Sequence, residues 1–296
     1  MQETEYIWIN GNLVKWHEAK IHVLTHALHY GSGVFEGIRA YDTGKGTAVF
    51  RLKDHLNRLF DSAESLKMKI PYSREEIRKA IKETLKINNL KEGYVRPIVF
   101  YGYGKMGLNP EGAEINIAIS VWPWPQYIEG EAKVMISSYI RIHPQSLHAD
   151  RKVTGHYVNS ILASIEAKEK DFDESLLLDY EGNVAEGPGE NIFVVKNNKI
   201  LTPPLRKQIL PGITRDSVIK IAKGLHYDVL EKDISVKELK NADELFFTGT
   251  AAEIAPISQL DEVFFKNHEI TNKIKDSFKE IIKGKNPRYE EWLDFV

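Results

Sequence analysis

The chain has 296 residues, with 40 Lys and Arg against 42 Asp and Glu, so its formal charge is -2 and gives no reason to expect nucleic acid or an anionic membrane as partner. Hydrophobic residues make up 42% and charged residues 28%, an ordinary globular mix, and no apolar run approaches the roughly 20 residues needed to cross a bilayer. The count of zero cysteines removes disulfides, thiol catalysis and cysteine metal sites; with an acidic N-terminus unlike a signal peptide, it leads to the expectation of a cytoplasmic protein without a bound metal.

Tyr6–Ile9 and Leu13–Val14, joined by Asn10-Gly11, read as a hairpin, because Asn-Gly supplies the positive φ angles of a type I′ turn. Strand-like runs follow at Ile21–Leu24, Gly33–Arg39 and Thr47–Phe50. A helix is expected from about Asp54, with Leu56, Leu59, Phe60, Ala63 and Leu66 as its apolar stripe and Pro71 closing it. Ser73 and Glu76 form the capping box of a second helix carrying Ile77, Ala80, Ile81 and Leu85. Gly93–Phe100 and Ile115–Val121 read as strands, so the first half is a small α+β unit. The prolines of Trp122–Gln126 place the domain joint there.

The second half resumes with a strand near Lys133–Ser138. Thr154 is then the expected N-cap of a helix whose Tyr157, Val158, Ile161, Leu162 and Ile165 repeat at helical spacing. Short buried strands are expected at Ser175–Asp179 and Asn191–Val195, with turns at Glu181–Asn183 and Asn197-Asn198. Helices follow near Thr214–Lys223 and Ile270–Ile282, ended by Gly224 and Gly284. There is no internal repeat.

Five features could carry chemistry. Lys152 stands just ahead of a helix start; a desolvated amine there could form a Schiff base, although by itself it also reads as a solvated cation. In Ile209–Asp216, Pro-Gly makes a turn and Thr214 caps a helix whose positive end favours an anion, as an ordinary capped helix also would. Phe247–Ile254 runs a strand into a turn of glycine, two threonines and small residues, which lets a ligand approach the backbone. Glu186 and Glu190 sit amid glycine and proline, where one carboxylate could face a heteroaromatic nitrogen or both could simply be solvated. Arg58 lies off the apolar stripe of its helix, so periodicity leaves it in water unless a bound anion draws it in.

Together these stretches resemble the fold-type IV pyridoxal-phosphate enzymes, specifically the branched-chain amino acid aminotransferases. The resemblance spans nearly the whole chain and rests on six segments in order: His29–Arg39, Tyr94–Phe100, Gly104–Pro110, Ala185–Ile192, Leu210–Asp216 and Phe247–Ile254. It implies an α/β (α+β) two-domain fold, with a small N-terminal domain over residues 1–121, a linker over 122–131, and a large cofactor-binding domain over 132–296 with a mainly β core flanked by helices.

The resemblance also implies roles. Lys152 would hold pyridoxal 5′-phosphate as a Schiff base and act as general base. Glu186 would pair with the ring nitrogen and Tyr157 with the ring hydroxyl, while Arg58, Ile213, Thr214 and Thr250 would hold the phosphate. Tyr94, with the backbone of Thr250 and Ala251, would bind the substrate α-carboxylate, and Arg96 would take the distal carboxylate of glutamate. Phe35, Trp124 and Tyr127 would wall the side-chain pocket. Tyr30 and Leu108 would come from a neighbouring subunit, implying at least a homodimer.

The activity implied is amino-group transfer from L-leucine, L-isoleucine or L-valine to 2-oxoglutarate. D-amino acid aminotransferases and aminodeoxychorismate lyases share the fold and are the alternatives; a cofactor binder without turnover is a further one. Gly102–Gly107 matches Gly-x-Gly-x-x-Gly by letter, but Leu108–Gly112 follows where the dinucleotide motif needs a helix, so it reads as a chance match.

Overall fold

The computed structural model describes residues 2–124, 128, 130–206 and 209–296. Its contacts cluster into two compact units. The first comprises Met1–Pro125, Arg151–Gly155 and Glu280–Val296; the second comprises Gln126–Asp150 and His156–Lys279. The short segment bearing Lys152 thus belongs to the first unit, where a single linear division would put it in the second.

The first unit contains β1 (Tyr6–Ile9), β2 (Asn12–Lys15), α1 (His26–Tyr30), β3 (Gly33–Phe35), β4 (Ile38–Thr43), β5 (Gly46–Phe50), α2 (Leu52–Ser65), α3 (Arg74–Ile87), β6 (Gly93–Tyr101) and β7 (Ile115–Trp122). With the C-terminal strand Leu293–Phe295 they make an antiparallel sheet ordered C-terminal strand, β5, β4, β6, β7, β1, β2, with β3 also pairing β6. Asn10 (φ 48°) and Gly11 (φ 91°) form the β1–β2 turn expected of that dipeptide. The α3 capping box is present in full: Ser73 Oγ accepts from the Glu76 N–H and the Glu76 carboxylate accepts from the Ser73 N–H.

Strand alternation divides this sheet into two faces. Val34, Ile38, Ala40, Val95, Val99, Ile119 and Val121 join one core with Leu56 and Leu59 of α2 and Ile77 and Ile81 of α3. The residues between them, Phe35, Arg39, Tyr94, Arg96 and Trp122, fall on the opposite face, where Arg39 pairs with Tyr94 and Tyr94 with Trp122 across strands.

The second unit contains β8 (Ala132–Ile140), α4 (Tyr157–Glu169), β9 (Glu174–Leu178), β10 (Val184–Glu186), β11 (Asn191–Lys196), β12 (Lys199–Thr202), α5 (Ile213–Gly224), β13 (Asp228–Glu231), α6 (Val236–Lys240), β14 (Glu244–Gly249), β15 (Glu253–Leu260), β16 (Val263–Phe264) and, up to Lys279, most of α7 (Glu269–Ile282). Its mixed sheet runs β10, β9, β8, β15, β14, β11, β12, β13, with β16 on β15 and with β8 parallel to both β9 and β15. Val134, Leu176, Ile192, Leu245, Phe247 and Ile257 fill its core.

Four local expectations need correction. Ile21–Leu24 is not a strand, and Ile21, Val23 and Leu24 are exposed. Thr154 does not cap α4; it lies in a short 3-10 turn, Thr154–His156, and His156 precedes the helix without a side-chain cap. Thr214 is likewise inside α5, whose N-cap is Gly212. On α4 the spaced apolar residues Val158, Ile161, Leu162 and Ile165 are exposed, while Ser160, Ala163 and Ala167 are buried. Periodicity located a face of α4, but small residues are what let the helix lie close on the sheet.

Candidate functional site

In the first unit the lysine segment is stitched to the sheet. The Phe35 N–H donates to Lys152 O (3.1 Å), Val34 and Val153 form an antiparallel bridge, and the Lys152 N–H donates to Ser62 Oγ of α2 (3.1 Å). Val34 and Val153 both enter the core, so strand alternation turns Lys152 toward the face bearing Phe35. The Lys152 ammonium accordingly stands 5.0 Å from the Phe35 ring centroid. Thr154 fixes the segment from the other side: its hydroxyl donates to Gly31 O (2.7 Å) and accepts from the Gly33 N–H (3.1 Å). Gly31 is left-handed (φ 62°), and a Cβ there would lie 2.7 Å from Gly155 Cα, so this crossing admits only glycine.

Arg96 lies on the same face. Its guanidinium carbon is 4.8 Å from the Phe35 ring, 5.3 Å from Tyr94 and 5.8 Å from Trp122. Trp124 closes on Tyr94 at 4.5 Å between centroids. Arg96 Nε is buried and has no hydrogen-bond partner among the described residues. A cation with an unsatisfied buried donor, walled by aromatic rings, suits a carboxylate ligand.

Arg58 is buried, not solvated, and its companion is a carboxylate of the chain itself: Nε donates to Glu36 Oε1 (2.6 Å) and a terminal amine to Glu36 Oε2 (2.9 Å). That pairing corrects the idea that only a bound anion could draw Arg58 inward. His55 Nδ1 stands 2.8 Å from Glu36 Oε2. Burial alone would raise the Glu36 pKa, but Arg58 and His55 hold the carboxyl well below the ordinary carboxylate range. Burial pushes the His55 imidazole below its usual value, outweighing the pull of Glu36, and the charges of Arg58 and Lys152 act in the same direction as burial. His55 is therefore neutral, and its Nδ1–H donates to Glu36.

In the second unit Glu186, at the end of β10, is buried and held by side-chain and backbone donors. Arg141 Nε gives to Oε1 (2.6 Å), Asn191 Nδ2 to Oε2 (3.0 Å), and the Leu210 N–H reaches both oxygens at 3.1 and 3.2 Å. Arg141 Nη1 is buried without a hydrogen-bond partner among the described residues. Arg141 has no motif around it, and the sequence reading missed it. Glu190 is buried too, but its Oε2 turns back to accept from the neighbouring Gly189 N–H. Ile213 and Thr214 are buried in the first turn of α5, where backbone N–H groups point out of the helix end. Thr250 and Ala251 occupy the turn between β14 and β15, both half-buried, and Tyr157 opens α4. A Cβ on Gly212 would strike Asn191 Oδ1 at 1.9 Å, and one on Gly187 would meet Glu190 Oε2 at 2.9 Å and the Phe247 ring at 3.1 Å.

Thus Phe35, Arg58, Tyr94, Arg96, Trp124 and Lys152 belong to the first unit, and Tyr157, Glu186, Ile213, Thr214, Thr250 and Ala251 to the second. Tyr30 and Leu108 are exposed, at 42% and 87%. Tyr127 lies outside the described residues. Gly104 and Gly107 sit in a loop with no helix after it, as a chance match to the dinucleotide motif requires.

Comparison with known proteins decides the family. The profile of amino-transferase class IV matches residues 33–260. The chain belongs to the class IV aminotransferases. A branched-chain-amino-acid aminotransferase of Pseudomonas aeruginosa is 45% identical, covering 98% of this chain and 97% of that one. The crystal structure of a branched-chain aminotransferase from Thermoproteus uzoniensis with norvaline has a TM-score of 0.96 at 42% identity, covering 98% of each chain. That of a T.th. branched-chain amino acid aminotransferase complexed with N-(5′-phosphopyridoxyl)-L-glutamate has a TM-score of 0.95 at 42% identity, covering 99% of each. This class IV aminotransferase therefore has the two-domain, fold-type IV architecture and is a pyridoxal-phosphate-dependent transaminase. Each unit carries groups of the kind that cofactor takes: the first an amine on a fixed segment and a buried arginine, the second a buried, anchored carboxylate. Among the described residues no helix is long and apolar enough to cross a membrane.

Proposed function

We propose that this aminotransferase moves the amino group of L-leucine, L-isoleucine or L-valine to 2-oxoglutarate, giving the 2-oxo acid and L-glutamate. One observation carries the reading: Arg96 stands among Phe35, Tyr94 and Trp122 on the face that Lys152 also joins. The rings suit a branched aliphatic side chain. The guanidinium suits the second carboxylate of glutamate, which would be costly to desolvate unpaired. The phosphopyridoxyl-glutamate bound by the T.th. relative is in keeping with this.

Pyridoxal phosphate, when bound, supplies the electron sink that lets the amino acid's Cα–H bond break. Lys152 Nζ would be the amine that holds it and the base that moves the proton at the substrate's Cα. Glu186 would pair with the ring nitrogen and Tyr157 with the ring hydroxyl. Arg58, Ile213, Thr214 and Thr250 would hold the phosphate, Ile213 and Thr214 partly through backbone N–H groups. Tyr94 and the backbone of Thr250 and Ala251 take the α-carboxylate, while Phe35, Trp124 and Tyr127 wall the side chain.

The protein works as a homodimer at least, with Tyr30 and Leu108 completing a neighbour's site. The exposed apolar side chains Val23, Leu28 and Leu108 of the first unit support this, as do Val158, Ile161 and Ile165 of the second. A chain with no cysteines fits a reducing cytoplasm.

Assay of L-valine against D-alanine with 2-oxoglutarate tests the reading. Transfer from L-valine is expected. Activity on D-alanine alone would make it a D-amino acid aminotransferase, and release of pyruvate from aminodeoxychorismate would make it a lyase.

A further inference from the structure

We infer that Glu36 is a positioning residue for the cofactor phosphate: it fixes the plane and the presented edge of the Arg58 guanidinium without needing to touch the cofactor itself. The inference rests on the reading of Arg58 as a phosphate ligand. Its observation is the geometry beneath that ligand. Glu36 is fully buried and takes Nε and one terminal amine of Arg58 in a two-pronged bond. The carboxylate is itself held by His55 Nδ1 (2.8 Å) and by the Gly37 N–H (3.3 Å).

An acid buried against the arginine meant for a phosphate dianion looks self-defeating, since it cancels the arginine's charge. Two physical points resolve this. A guanidinium buried alone would carry a large desolvation cost in the cofactor-free chain, and would relieve it by swinging toward water. The planar fork also has a fixed donor geometry, so gripping one edge aims the rest of it. In this arrangement Arg58 serves as an oriented donor rather than as a free positive charge. His55 Nδ1 and the Gly37 N–H stop the carboxylate from rotating away.

The sign of the effect follows. If net charge governed phosphate binding, neutralising Glu36 would tighten it. If orientation governs, neutralising Glu36 weakens it, because a Gln amide N–H₂ would oppose a donor of Arg58. The test is titration of apoprotein with pyridoxal 5′-phosphate, followed by absorbance, and with inorganic phosphate, followed by thermal shift, for E36Q, E36D, H55Q and R58Q. For E36Q the dissociation constants of both ligands should rise about tenfold, as expected for the loss of roughly 1.4 kcal/mol. E36D should restore part of the loss, and H55Q should shift both in the same direction by less.

Unchanged or tighter binding by E36Q, with R58Q weakened, overturns the inference and leaves the reading of Arg58 standing. Unchanged binding by R58Q overturns that reading first. A purely structural role for Glu36 would lower the melting temperature and leave both constants alone, which also counts against the inference. Should E36Q not fold, H55Q decides: normal affinity in H55Q contradicts the positioning device.

Discussion

The hydroxyl of Tyr94 lies 1.8 Å from the point where a Cβ on Gly37 would stand. Tyr94 is buried and packed against Trp122 and Trp124, so it cannot yield without moving two indoles. Gly37 thereby sets where a phenol proposed to meet the substrate carboxylate is placed. Overpacking of a tight site costs about 1–3 kcal/mol. Gly37→Ala should therefore lower kcat/KM for L-valine about 10- to 100-fold, mostly through KM, by the tenfold-per-1.4 kcal/mol relation. Steady-state kinetics check this, and unchanged KM would show that Tyr94 does not bind substrate.

Arg96 should separate the two substrates. Removing a charge-assisted bond costs about 1.5–3 kcal/mol. Arg96→Met should slow the half-reaction with 2-oxoglutarate about 10- to 100-fold, while the half-reaction with L-valine changes less than about threefold. Single-turnover measurements of each half-reaction report the split.

Arg141 and Glu186 are both buried, 2.6 Å apart. Losing one member of a buried ion pair commonly costs about 3–5 kcal/mol. Arg141→Met should lower the melting temperature of the apoprotein by on the order of 10 °C. Adding Glu186→Gln, which removes the stranded charge, should restore part of the loss. A thermal melt of the four proteins in this cycle gives the coupling.

The fold should lose stability as pH falls through two windows. His55 is held below its usual pKa, about 6.5. The unfolded chain therefore takes up a proton near that pH that the folded chain refuses. The stabilisation is present above about pH 6.5 and is lost as pH falls toward the folded value. Glu36 is also held low, so its contribution is present above about pH 4.3 and is lost as pH falls through its own depressed value. Urea melts from pH 7.5 to 5 should therefore show a slope in the wild type that His55→Gln flattens, and an unchanged slope would count against a neutral buried His55.

What could be read from the sequence follows from range. The Asn10-Gly11 turn and the Ser73–Glu76 capping box were legible because all their chemistry lies within four residues. The two-faced sheet was half legible, since alternation shows which residues share a face but not that Lys152 joins it from 117 positions beyond Phe35. Arg58 was misread because helical periodicity sees only its own helix, and its carboxylate lies 22 positions away. Arg141 was missed for the same reason, its contact with Glu186 spanning 45 positions. Thr154 looked like a helix cap by position, yet its hydroxyl is spent on Gly31 and Gly33.

Lys152 Nζ, on the segment bridged to Val34, is the amine proposed to hold the cofactor. Reduction of the holoenzyme with borohydride, followed by proteolysis and mass mapping, tests it most directly. A single pyridoxyl adduct on Lys152 is expected; an adduct on any other lysine, with Lys152 unmodified, would show that a different amine holds the cofactor.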